Sequence, residues 1–310
     1  LLLGFARLAA FGALPLGWVA DEGGRRRPFL WALTIVVVAG TVSGFAMDAW
    51  HFGLAQAFLR VGTAAVAGLA VVIIAEQVPA EIRAYSISFY GAAVSLGAGA
   101  ALATLPLAEL GPDAWRIPHL LIAVGLLALP FLIRAIPESE VYERAEHDGH
   151  WRDLIAGSHR RNLWIVGAVG LLASKFTSVA IAFSTERLIQ GVGLSSGATV
   201  WVSLLGGTVG GIGFFIGGHL ADSWGRRLTT VLSIVMAMAG GVLLYNTSTL
   251  PLILVAVVVS SFGTFAFVPA GGSHRAELFP THLRSSATTA ASNLAIAGSA
   301  VGLISGVYTI

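Results

Sequence analysis

Ten stretches of about 20 apolar residues, separated by short polar links, occupy most of this chain. They cover residues 1–20, 28–47, 51–75, 84–108, 117–136, 162–185, 198–221, 227–246, 250–274 and 285–310. At 1.5 Å of rise per residue, a helix of about 20 residues spans the hydrocarbon core of a bilayer. Of the 310 residues, 56% are hydrophobic and 11% charged, whereas a soluble domain carries about 25% charged residues. A water-soluble fold of this length cannot hide so much apolar surface. The pattern predicts an all-α, multi-spanning membrane protein whose solvent is the lipid bilayer. The 38 glycines suit helices whose backbones pack closely in lipid. With no cysteine, disulfides and thiolate metal sites are excluded.

Successive links alternate sides of the membrane, and their charge sets the orientation. One set holds Arg25, Arg26, Arg27, Arg83, Arg134, Arg144, Arg152, Arg160, Arg161, Arg226, Arg227, Arg275 and Arg284, which is 13 of the 18 basic residues. The other set holds Arg116 and Arg187. The first set is therefore expected on the cytoplasmic side. Trp18, Trp50, Trp115, Trp164, Trp201 and Trp224 fall near span ends, as interfacial belts require. The longest polar stretch, 137–161, divides the chain into an N-terminal bundle over 1–136 and a C-terminal bundle over 162–310, with a cytoplasmic central loop between them. The chain opens without a Met and stops inside an apolar run, so both ends look cut.

A duplication underlies this division. Gly17-Trp18-Val19-Ala20-Asp21-Glu22-Gly23-Gly24-Arg25-Arg26 and Gly218-His219-Leu220-Ala221-Asp222-Ser223-Trp224-Gly225-Arg226-Arg227 share the pattern G-x-(hydrophobic)-A-D-x-x-G-R-R, 201 residues apart (21 to 222). Glu76, Pro79 and Arg83 return at the same spacing as Glu277, Pro280 and Arg284, and Gly62 returns as Gly263. Two motifs in one register indicate duplication of a whole bundle, the parallel-repeat plan of one transporter class. Gly17 and Gly218 permit close helix contact, and Gly24 and Gly225 a tight turn. Asp21 and Asp222 are suited to capping a helix or meeting a neighbouring helix N-terminus. The arginines can pair with Glu76 and Glu277, closing the two halves on the cytoplasmic side. The candidate gate comprises Gly17, Asp21, Gly24, Arg25, Arg26, Glu76, Arg83, Gly218, Asp222, Gly225, Arg226, Arg227, Glu277 and Arg284.

These motifs resemble the major facilitator superfamily, which carries the G-x-x-A-D-x-x-G-R-R link between its second and third helices and again between its eighth and ninth. The resemblance covers essentially the whole chain. It implies twelve helices in two six-helix halves, and it aligns this chain with helices two to eleven, lacking the first and last. The repeat offset agrees, since it projects a helix before residue 1 and another after residue 310. Trp115-Arg116-Ile117-Pro118 before the fifth span, Pro137-Glu138-Ser139 after it, and Ser292-Asn293 look like the metabolite:proton symporter branch, the first two also like the sugar porters. The glutamine-rich element of sugar porters is replaced by Ala173-Ser174-Lys175-Phe176-Thr177-Ser178. The Gly-Pro element of drug:proton antiporters is missing between Gly91 and Leu107.

Three basic residues fall inside spans. Arg7 and Lys175 each lie 13 residues, about 20 Å, from the cytoplasmic edge (Ala20 and Asn162), and Arg60 lies about 13 Å below the outer end of its span. A charge near the bilayer centre costs roughly 3 kcal/mol or more, so each is expected to face a cavity or a partner, or to snorkel to an interface. None of them recurs at the 201-residue spacing, which points to the cargo rather than the scaffold. No carboxylate lies mid-span. Either the segment before residue 1 supplies an acid, which would also carry a proton, or the cargo is an anion. Arg7, Arg60, Lys175 and Asn293 are the candidate substrate residues.

Gly193-Leu194-Ser195-Ser196-Gly197 fits the G-x-S-x-G hydrolase pattern, but it sits in an outer link of a helical chain without the strand-to-helix elbow that pattern needs. No other catalytic set, metal motif or nucleic-acid footprint is present, so an enzyme is not expected. The sequence predicts a monomeric secondary transporter of the plasma membrane, a bacterial inner membrane, with no cofactor beyond a proton gradient. It would take up a small organic solute, an anion favoured, by proton symport. Efflux by proton antiport and a nutrient sensor that moves nothing are the alternatives.

Overall fold

The computed structural model describes residues 8–104, 107, 110–143 and 152–307. Among these, ten helices follow the ten apolar stretches. They are α1 (Leu14–Gly23), α2 (Arg26–Ser43), α3 (Ala49–Gln77), α4 (Arg83–Ala103), α5 (Arg116–Ala135), α6 (Arg160–Ala182), α7 (Ser196–Trp224), α8 (Arg226–Asn246), α9 (Leu250–Glu277) and α10 (Thr281–Val307). A 3₁₀ turn, Ala9–Ala13, leads into α1. Seven of the ten, namely α3 and α5–α10, are long and apolar enough to cross a membrane by length and hydropathy. The other three are compositional exceptions. The described part of α1 is ten residues long, α2 opens on Arg26 and Arg27, and α4 is rich in Gly, Ala and Ser. No strand occurs among the described residues.

The helices run two to three residues past the apolar stretches at several ends. Sequence reading treats Gly17 to Arg26 as a link, whereas α1 continues through Asp21 and Glu22 to Gly23, and the chain turns only at Gly24 and Arg25. The second copy does the same, with α7 running to Trp224 and turning at Gly225. Polar residues stay helical here because their charges find partners, described below. The turns themselves need glycine. Gly24 and Gly225 have φ of +97° and +107°, a region that side chains with a Cβ avoid.

Packing within each repeat is the same. Glycine at the centre of one long helix lets it lie directly on its neighbour. A Cβ on Gly62 of α3 would stand 3.0 Å from the Ala32 carbonyl and from the Val36 amide of α2. A Cβ on Gly263 of α9 would strike the Ala237 amide and the Ser233 carbonyl of α8, the residues 201 positions beyond Val36 and Ala32. Between repeats, α1 packs on α10 and α7 packs on α4, again equivalent pairs exchanged by the duplication. The outside remains apolar: Leu96, Leu127 and Phe131 are 76%, 81% and 72% exposed. That surface suits lipid and would be an aggregation hazard in water.

The backbone contact at Gly263 yields a prediction. Gly263→Val forces α9 off α8, because the obstacle is main chain that cannot rotate away, and overpacking of this kind costs about 1–3 kcal/mol. Gly211→Val, whose Cβ meets nothing within 4 Å, is expected to be near neutral. Thermal midpoints of the two variants in detergent check this, and equal midpoints would contradict it.

Candidate functional site

The duplicated motifs meet on the arginine-rich side, at the junction of the two repeats. The Asp21 carboxylate, on the last turn of α1, accepts from the Ser285 and Ser286 amides at 2.9 and 2.7 Å. Those amides are the fifth and sixth of α10, close to its N-terminus, where the helix dipole favours an anion. Asp222, on the last turn of α7, accepts from the Ala84 and Tyr85 amides in the first turn of α4 at 3.1 and 2.8 Å. Each aspartate therefore caps a helix of the opposite repeat. Gly17 and Gly218 make this approach possible. A Cβ at Gly17 would press on the Ser285 carbonyl and Thr289, and one at Gly218 on Ala84, Tyr85 and Ser88.

Two carboxylates extend the junction. Glu76, at the end of α3, is held by Arg25 of its own repeat at 3.2 Å and by Arg284 of the other at 2.9 Å. Glu277, at the end of α9, is held by Arg226 of its own repeat and by Arg83 of the other, each at 2.8 Å. The arginines reach main chain across the junction as well: Arg25 donates to the Thr281 carbonyl at 2.5 Å, and Arg226 donates to the Ala80 carbonyl. Arg25 and Arg226 also pair with Asp21 and Asp222 one turn away, at 3.2 and 3.1 Å.

The two copies differ in burial. The Arg25 side chain is 1% exposed and the Glu76 side chain 0%, against 17% for Arg226 and 28% for Glu277. The cover over the first copy comes from the segment after α5, which sequence reading used as the divide between the bundles and for its family likeness. Glu138 accepts from the Arg25 and Arg26 amides at 2.7 and 3.2 Å and so caps α2. Tyr142 donates to the Glu22 carbonyl at 2.7 Å, and the Arg25 guanidinium lies over its ring at 4.6 Å. No such cap for α8 occurs among the described residues. Arg26 itself donates to the Ile133 carbonyl of α5, and Arg227 is exposed.

The candidate substrate residues are not gathered at one point. Arg7 lies outside the described residues. Arg60 is exposed on α3. Lys175 is exposed on α6 and lines a groove of about 420 Å³ between α6 and α8, with Phe176, Tyr245 and Asn246. Asn293 of α10 is 0% exposed, and neither polar atom of its amide has a partner. It heads a stripe that sequence reading missed. Ser285, Ser286, Thr288 and Thr289 are at most 1% exposed; the Ser286 side chain faces the Asp21 carboxylate, and the hydroxyls of Ser285, Thr288 and Thr289 have no partner among the described residues. The density of Ser, Thr and Asn between residues 285 and 293 was the available signal, and the 201-residue spacing from Ala84 and Tyr85 already marked Ser285 and Ser286.

Comparisons with known proteins agree with this architecture. The model of the Major Facilitator Superfamily matches residues 1–308. A probable 4-methylmuconolactone transporter of Cupriavidus pinatubonensis is 28% identical over 96% of this chain and 72% of its own length. A galactose-proton symporter of Escherichia coli is 23% identical over 76% of this chain and 58% of its own. The chain thus spans between about half and three quarters of those relatives. Among solved structures, the human organic anion transporter MFSD10 superposes with a TM-score of 0.81 at 19% identity, covering 99% of this chain and 77% of that one. The proton:xylose symporter XylE gives 0.74 at 18% identity, covering 96% and 77%. At such identities the structural likeness establishes the fold alone. The chain belongs to the Major Facilitator Superfamily.

Proposed function

We propose that this chain forms the body of a secondary transporter that moves a small organic anion by alternating access, coupled to proton entry. The observation that carries the reading is the junction itself: ion pairs and helix caps from both repeats join across one side only of the described structure. In this proposal two units, 1–136 and 162–310, rock about a central site, and the junction is the cytoplasmic gate in its closed state. The gate comes apart as paired charges gain water.

The energies suit a switch. Buried ion pairs roughly break even against the desolvation of their charges, so they select one geometry more than they stabilise it. Against them stand polar atoms of Ser285, Thr288, Thr289 and Asn293 that have no partner among the described residues. A buried polar atom without a partner costs about 1–3 kcal/mol. Opening would hydrate both sets, so neither state need dominate. Glu76 and Glu277 separate the roles of the two copies. Glu76→Gln removes the negative charge that Arg25 and Arg284 share at a buried site and is expected to cost about 3–5 kcal/mol. Glu277→Gln, at a partly exposed site, is expected to cost about 1 kcal/mol or less. Thermal unfolding of the two variants measures this, and equal effects would contradict it.

The cargo is read from charge and from relatives. Arg60 and Lys175 have no described carboxylate within ion-pairing distance. The 4-methylmuconolactone transporter provides the nearest chemical hint, a carboxylate cargo. The galactose-proton symporter among the sequence relatives supports proton coupling. In vesicles of known orientation, labelled 4-methylmuconolactone, benzoate and succinate test the assignment, and the direction of flux separates uptake from efflux. Arg60→Ala and Lys175→Ala in the intact transporter are expected to cut anion uptake at least tenfold, or about 1.4 kcal/mol of transition-state or binding free energy. Uptake left untouched by both substitutions would sink the anion reading.

A further inference from the structure

We infer that Arg275 is an anion-binding residue on the cytoplasmic side of the pathway, where a cargo carboxylate is held beside Ser292 of α10. The inference rests on the proposed organic-anion cargo and extends it to a residue that sequence reading assigned only to topology. Arg275 stands two residues before the end of α9 at Glu277. A lysine or arginine so placed ordinarily extends its head outward to water. Arg275 does the reverse. Its Nε donates to the Gly271 carbonyl, one turn nearer the membrane interior, at 3.1 Å. Its guanidinium then meets Ser292 Oγ of α10 at 3.4 Å.

Nothing there neutralises it. Carboxylates at that end of the fold are engaged elsewhere: Glu76 by Arg25 and Arg284, Glu277 by Arg83 and Arg226, Asp21 and Asp222 by helix amides and by Arg25 and Arg226, and Glu138 by the Arg25 and Arg26 amides. No described carboxylate lies within ion-pairing distance of Arg275, and its hydrogen bonds to a carbonyl and a hydroxyl leave most of its donors unspent. A planar fork of N–H donors is the group that recognises a carboxylate in two parallel bonds. The next residue of α10, Asn293, is fully buried, and its amide has no partner among the described residues. Arg275 also stands outside the duplication, because the residue 201 positions earlier is Ile74. The repeated arginines serve the gate; this one is free of it. Its guanidinium is left with N–H donors that no described carboxylate engages.

The test uses the intact transporter in vesicles and whichever of labelled 4-methylmuconolactone, benzoate or succinate the wild type moves. Arg275→Gln is expected to raise the half-saturating concentration at the cytoplasmic face at least tenfold and to change that at the outer face less than twofold. Arg275→Lys, which keeps the charge, is expected to recover part of the loss. Wild-type transport with both faces of Arg275→Gln unchanged, or both weakened equally, would overturn the site while leaving the transport reading intact. Failure of both variants to reach the membrane in wild-type amounts would make Arg275 a folding residue and overturn it too. A wild type that moves none of the three anions would remove the cargo reading, and this site with it.

Discussion

The buried carboxylate of Glu76 is the point on which the two repeats depend. It is 0% exposed and takes one arginine from each repeat, Arg25 and Arg284. A carboxylate at such a place is tolerable only while both partners stay, so the ends of α2, α3 and α10 are fixed relative to one another. Asp21 adds the same constraint from α1 by capping α10. Four helices from two repeats are thereby tied within a small volume, and their apolar lengths extend from that volume into the bilayer.

Duplication gave the chain a second set of these contacts, and the two sets have diverged. Asp222, Arg226, Glu277 and Arg83 repeat the geometry on the other flank, with more water around them. The first set is roofed by Glu138 and Tyr142, which bind the turn between α1 and α2. Surface ion pairs contribute little and are weakened by salt, whereas buried ones are insulated from it. In the proposed gate, the exposed flank of the junction would yield first and the buried one would hold register. The segment joining the repeats lies against the flank that holds.

Much of this was legible in the sequence. The ten helices follow from apolar length, and the symmetry follows from one offset shared by Asp21/Asp222, Glu76/Glu277 and Arg83/Arg284. Pairing of arginine with glutamate at the motifs follows from charge. Three things were hidden. Helix ends were placed too early, because a hydropathy criterion cannot know that the side chains of Asp21 and Glu76 are accommodated in helices by hydrogen-bond and ion-pair partners from the other repeat. The aspartates' acceptor role was foreseen, but their targets, amides near the N-termini of α10 and α4, require the fold. The buried polar stripe on α10 and the inward turn of Arg275 depend on which face of a helix meets the other repeat, and on rotamers, neither of which periodicity resolves in a span that is polar on several sides.

The central claim is that the paired carboxylates hold the arginine-rich side closed. Because the chain has no cysteine, spin labels can be placed at will on exposed Arg134 of the first repeat and Ser223 of the second. The decisive measurement is the distance distribution between those labels in the wild type and in the Glu76→Gln/Glu277→Gln double variant, with both proteins shown to be folded. The account predicts a short distance in the wild type and a shift of the population to longer distances in the variant. An unchanged distribution would contradict it.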